Sequence, residues 1–306
     1  MKLKIWTALL LVYVIWGATY LGIRYAVETI PPFLMAGTRF LLAGIVLFVW
    51  RRSVGDPAPS RGQWLRAAVV GLLLLLGGNG LVSWAEKNVA SGIAALIVGS
   101  APLWMTTIEA LRSGGARPNW LGILGLVLGF GGIVLLVGPS LFTKNQADSH
   151  PLGIVILLCA ALFWSLGSIY SRNADLPAST LLSTSMEMLT GGAGLYLAGT
   201  FTGEWQQLVL ADVTTRSWLG LILLTLFGSM VGFTAHAWLL RNAPVSLVAT
   251  YAYVNPLVAI LLGSLFAQEL LTMGILFAAL VIVGSVVLIN ISRQIKVKAR
   301  PAAVMK

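Results

Sequence analysis

Apolar positions along this chain do not alternate with polar ones. They form long runs, each closed by a short polar connection; "TALLLVYVIWGATYLGI", "FLMAGTRFLLAGIVLFVW" and "WLGILGLVLGFGGIVLLVG" are three of them. A helix that is apolar all round has no aqueous face, and about 20 such residues span the hydrocarbon of a bilayer. Ten helices are expected on this basis, over 5–27, 32–50, 67–84, 91–111, 120–137, 152–170, 180–200, 218–240, 246–266 and 272–291. The first run is longer than the roughly 7–15-residue apolar core of a cleaved signal and leads into Arg24, so it reads as a retained helix.

Composition agrees. The chain is 58% hydrophobic and 10% charged, with mean hydropathy +0.90, whereas soluble domains carry roughly 25% charged residues. The net charge of +10 invites a nucleic-acid reading, but its distribution argues for a membrane one. With the N-terminus in the cytoplasm, Lys2, Lys4, Arg51, Arg52, Arg61, Arg66, Arg112, Arg117, Arg172 and Arg241 fall on inner segments. The tail adds Arg293, Lys296, Lys298, Arg300 and Lys306, while only Arg24, Lys87, Lys144 and Arg216 fall outside. That is the positive-inside asymmetry of a multi-pass inner-membrane protein with both termini cytoplasmic. Cys159 is the single cysteine, which excludes an internal disulfide. No metal-ligand spacing is present, and neither a cofactor nor a nucleic-acid partner is expected.

The chain repeats itself. A shift of 148 brings Trp16 onto Trp164, Arg24 onto Arg172 and Gly44 onto Gly192. A shift of 154 brings Gly78 onto Gly232, Trp84 onto Trp238, Asn88 onto Asn242 and Pro102 onto Pro256. Gly122 and Gly132 meet Gly274 and Gly284 at 152. The expected domains are therefore 5–138 and 152–291, with a basic cytoplasmic tail at 292–306. Each half has five helices, an odd number, so the halves lie in opposite orientations. Such an inverted repeat suits alternating access.

"IWGATYLGIRYAVETIPPFLMAGTRFLLAG", "GNGLVSWAE", "SGIAALIVGSAPLW", "LFWSLGSIYSR", "MEMLTGG" and "YAYVNPLVAILLG" occur in this order. Together they resemble the EamA family of the drug/metabolite transporter superfamily, in particular its YedA-like bacterial inner-membrane branch. The resemblance covers about 5–291. It implies two EamA domains, an all-α fold of ten transmembrane helices, and export of small metabolites. Amino-acid exporters of the YddG and RhtA types are related members.

Polar and aromatic groups within the runs are the candidate site, because buried polarity in a membrane is costly. Trp16 and Trp164 fall near mid-membrane, and either wall a central cavity or serve packing. Tyr20, Asn79, Ser100, Trp104, Ser168, Tyr251 and Asn255 add a mixed lining for a small-molecule substrate. Arg39 and Glu187, equivalent under the 148 shift, form either a structural ion pair or a substrate- or proton-coupling pair. Pro102 and Pro256 each free a carbonyl and are read as kinks. His236 reads as structural. Gly125 and Gly129 make a close-packing face, with homodimerisation as the alternative.

The leading expectation is a secondary transporter, not an enzyme, exporting small metabolites such as amino acids. The alternatives are export of drugs or nucleoside-like compounds, or a membrane-embedded enzyme. The latter would require a catalytic constellation, yet the chain has only His150 and His236 as histidines and no phosphate-binding "GxxxxGK[ST]" motif.

Overall fold

The computed structural model describes residues 2–112, 117–142, 151–243, 245–248 and 250–298. Lys144, His150, Arg300 and Lys306 lie outside the described residues, as do the side chains of Arg241, Arg293 and Lys296.

Among the described residues the fold is all helical, and each expected apolar run is helix. We number them α1 (Lys2–Ala26), α2 (Pro32–Ser53), α3 (Arg61–Ala85), α4 (Ser91–Leu111) and α5 (Trp120–Phe142). The second set is α6 (Pro151–Ser171), α7 (Thr180–Phe201), α8 (215–242), α9 (Tyr251–Phe266) and α10 (Met273–Lys298). Among the described residues seven of them are long and apolar enough to cross a membrane; α9, at 16 residues, is shorter, and α5 is 23 residues long. The remaining one, α7, is 22 residues long and carries Glu187.

Several boundaries depart from the sequence expectation for local reasons. α3 begins at Arg61, because Ser60 and Gln63 form a reciprocal capping box. α8 begins earlier too, where Thr214 accepts a hydrogen bond from the Ser217 amide. Expected as one helix over 246–266, the ninth run instead has a short turn Val245–Val248 before α9 starts at Tyr251. α10 continues to Lys298, so the start of the expected tail is helical. α3 and α8 each contain a nine-residue π-helical stretch, Leu72–Gly80 and Leu224–Gly232.

The two halves pack in opposite directions. A Cβ on Gly37 would meet Gly192 and Tyr196, whereas one on Gly44 would meet Met188 and Leu189, so α2 and α7 are antiparallel. Likewise Gly122, Gly125, Gly129 and Gly132 of α5 meet Ser292, Ile289, Ser285 and Ile282 of α10 in descending order. Gly92 and Gly99 of α4 meet Ile260 and Pro256 of α9. In all three pairs the partners are equivalent members of the two halves. The other packings exchange correctly as well: α1 lies on α8 and α9, α6 on α3 and α4. Near the dyad the symmetry reaches single atoms. A Cβ at Gly44 would stand 3.1 Å from the Leu189 amide nitrogen, and one at Gly192 would stand 3.1 Å from that of Leu41.

The Gly125–Gly129 face is occupied within the chain, by Ser285, Ile289 and Leu103. Gly274 and Gly284 have no such role; a Cβ at Gly284 would meet nothing within 4 Å.

Candidate functional site

The π-helical stretches and their glycines bring α1 and α6 to the centre. A Cβ at Gly232 would lie 2.5 Å from Trp16 Nε1, and one at Gly78 would lie 3.0 Å from the Trp164 ring. Glycine is thus needed at both positions for an indole to lie against the helix backbone. The two indoles then meet edge to face, with centroids 6.3 Å apart. Phe233 and Tyr251 add edge contacts to Trp16 at 5.2 and 5.3 Å, and His236 lies 4.8 Å away, tilted. Each aromatic pair in such geometry contributes about 0.5–1.5 kcal/mol beyond area burial. Trp16 is only 8% exposed, so it faces protein rather than lipid. Phe233 and His236, both on α8, complete this cluster; His236 reads from the sequence as structural, while Phe233 does not stand out, since nothing in a lone apolar run marks which face turns inward.

Polar residues surround the cluster unevenly. Asn255 is buried, and with its amide nitrogen turned toward acceptors it lies 3.3 Å from Tyr13 O and 3.2 Å from Tyr251 O. Ser168 Oγ donates to Trp164 O at 2.7 Å. Tyr20, one turn beyond Trp16, lies in the field of Glu86 and of Tyr251. Three other candidates turn elsewhere. Ser100 Oγ donates to Ile97 O within its own turn. Asn79 Nδ2 reaches only Leu74 O, at 3.5 Å. Trp104 packs on Phe130, with centroids 5.2 Å apart.

The two prolines differ in local form. α4 breaks at 99–100, and Pro102 sits in the first turn after the break. α9 runs without interruption through Pro256, its own break coming earlier, at Thr250. Just after the break Ser165 Oγ donates to Ala101 O at 3.0 Å, tying α6 to α4.

Arg39 is 2% exposed. Its Nε donates to Ser229 Oγ at 3.1 Å, and its guanidinium lies 4.4 Å from the Phe40 ring centroid. Trp16 Nε1 donates to the adjacent Gly228 O at 3.4 Å, joining Arg39 to the aromatic cluster through one π-helical turn. An ion pair was one of the alternatives for Arg39 and Glu187; among the described residues no salt bridge joins them. The antiparallel register gives the reason. Leu41 lies level with Gly192, so Arg39 is level with Gly194, seven residues or about 10 Å along α7 from Glu187. Instead, the carboxylate whose field acts on Arg39 is Glu86, at the end of α3. Glu86 was not singled out from sequence, because "SWAEKN" reads as an ordinary polar helix end.

Carboxylates also fasten the helix ends. Glu204, after α7, accepts from Phe33 N at 3.2 Å and Leu34 N at 2.9 Å, at the start of α2. Glu269, after α9, accepts from Ser91 N at 2.7 Å and Gly92 N at 3.0 Å, at the start of α4. These are charge-assisted bonds to the positive end of a helix. At the opposite end of the molecule Asp56, after α2, bonds Arg51 at 2.7 and 2.9 Å. Arg51 together with Ser179, the N-cap of α7, holds the Asp56 carboxyl below the usual carboxylate range. A cavity of about 410 Å³ lies at this end, lined by Arg66, Arg112, Leu166, Ile169 and Tyr170. A smaller one of about 90 Å³, near Thr38, Tyr196 and Trp205, lies at the other.

The helix pattern and paired halves match a known family. The model of the EamA-like transporter family matches twice, over residues 3–138 and 151–291. The chain is 37% identical to the "Uncharacterized inner membrane transporter YedA" of Escherichia coli (strain K12), over 96% of this chain and 92% of the relative. It is 26% identical to the "Uncharacterized transporter YvbV" of Bacillus subtilis, covering 97% and 94%. "Protein PagO" of Salmonella typhimurium is 25% identical, covering 98% and 97%. A solved crystal structure shares the fold with a TM-score of 0.64 at 20% identity, covering 96% of this chain and 98% of that one. On this evidence the chain belongs to the EamA-like transporter family, as a membrane transporter.

Proposed function

We propose that the protein exports small metabolites, with amino acids as the substrate class, across a bacterial inner membrane by alternating access. All ten helices cross, and both termini lie in the cytoplasm. The carrying observation is the dyad placement of Trp16 and Trp164 between halves that run antiparallel. Two oppositely oriented halves around one central cluster have two related packings, each opening the centre to one side. The cluster offers aromatic faces for an apolar body, while Arg39, Ser229 and Asn255 offer polar contacts nearby. The arginine-lined cavity at the α2–α3 end faces the cytoplasm in this topology. Substrate enters there.

Trp16→Ala tests the reading. In proteoliposomes, counterflow of labelled amino acids is expected to fall at least about tenfold, the loss of one well-placed anchor. Membrane insertion should be unchanged, because the apolar run still spans. Normal counterflow by this variant refutes the central site. Exchange of nucleosides or cationic dyes, with none of amino acids, refutes the substrate class.

A further inference from the structure

Two ionisable side chains of opposite sign are left with unused hydrogen-bonding atoms in the protein interior. Glu86 is fully buried, at 0% exposure, and neither carboxylate oxygen has a partner. Arg39 places Nε on Ser229 but leaves Nη1 buried and unpartnered. Among the described residues they form no ion pair, although α2, which carries Arg39, packs against the 81–85 end of α3 that Glu86 closes. Buried polar atoms in folded proteins nearly always find a hydrogen-bond partner, so the arrangement calls for a ligand.

The neighbours of Glu86 are already engaged. Arg24 Nη1 donates to the backbone carbonyls of Glu86 and Lys87, at 2.6 and 3.0 Å, and not to the carboxylate. The Glu269 carboxylate is taken by the amides of Ser91 and Gly92. Two residues of α1 reach toward the two orphans: Tyr20 packs on the cluster that includes Val82 and Ala85, beside Glu86, and Trp16 donates to the π-helical turn that holds Arg39. A simple anion would satisfy Arg39 and leave Glu86 bare; a simple cation would do the reverse. A molecule carrying both charges satisfies both.

We propose that Arg39 and Glu86 form a two-ended clamp for a zwitterionic substrate. Arg39 Nη1–H donates to the substrate carboxylate, and the Glu86 carboxylate accepts from its ammonium group. Trp16, Tyr20 and Tyr251 receive the body between them. The clamp rests on the exporter reading given above and narrows it to molecules that bear both groups.

The test uses the full chain in proteoliposomes and three probes of similar size: leucine, 4-methylpentanoate and 3-methylbutylamine. With the wild type, leucine should compete in counterflow at least about tenfold better than either single-charge analogue, because a site built for a polar group rejects a ligand lacking it. Glu86→Gln should lose most of the preference for leucine over 4-methylpentanoate. Arg39→Gln should lose the preference over 3-methylbutylamine. Should either variant fold poorly, ligand-induced melting shifts of the wild type carry the test: leucine raises the transition, and the analogues leave it in place. Equal competition by all three probes overturns the clamp, as does unaltered preference in Glu86→Gln. An equal loss for leucine and 4-methylpentanoate in Glu86→Gln also overturns it, since the carboxylate then serves the transport cycle rather than the ammonium group. If the wild type exchanges nucleosides or dyes but no amino acid, the exporter reading itself falls, which is a different result from loss of the clamp alone.

Discussion

Arg39 is level with Gly194 rather than with Glu187, and that offset separates two ideas that sequence reasoning merges. Residues equivalent under an inverted repeat are neighbours only where the dyad passes between them. Trp16 and Trp164 meet that condition; Arg39 and Glu187 do not. Arg39→Met and Glu187→Gln are therefore expected to act independently, with a coupling energy within about 0.5 kcal/mol of zero in a double-mutant cycle of detergent unfolding. Rescue of the arginine variant by the glutamate variant would show an ion pair after all. A cycle between Arg39→Met and Ser229→Ala should instead show clear coupling, because Nε donates to that hydroxyl.

Helices were the most legible elements. Among the described residues each apolar run is helical, the fourth and ninth with an interruption, and the glycines at 44, 192, 78 and 232 fall where backbones or indoles come close. Three features were hidden for physical reasons. The π-helical stretches depend on a shift of backbone hydrogen bonding within runs such as "LLLLLGGNG", where side-chain polarity does not change. Breaks at 99–100 and at Thr250 occur before the prolines rather than at them. The caps by Glu204 and Glu269 join residues distant in sequence, so neither the charge nor its spacing reveals the helix start it serves. Glu269→Ala should remove two charge-assisted bonds from the start of α4 and destabilise the protein by about 2–3 kcal/mol. The melting temperature in detergent is the measure. An unchanged transition would mean that water or another residue caps α4 equally well. Glu269→Gln retains an acceptor and should recover part of the loss.

At the scale of the molecule, charge and topology belong together. A cysteine placed at Ser149 should react with an impermeant thiol reagent from outside intact cells, while one at Ser53 should react only after permeabilisation; the background is a Cys159→Ser variant. The reverse pattern would invert the membrane orientation and the reading of the arginine-lined cavity as the cytoplasmic one. The unequal breaks in α4 and α9 reach further than topology. Equivalent helices here hold different shapes: α4 is interrupted at 99–100, while the matching part of α9, just before Pro256, is continuous. Under the alternating access proposed above, the halves are expected to trade shapes in the opposite state: the interruption of α4 moves toward residue 96, and that of α9 toward 253–254. Spin labels flanking each site, at Leu96 with Thr107 and at Val248 with Leu261, should therefore show distance changes of opposite sign when substrate is added. Changes of the same sign would mean that the halves move without exchanging form.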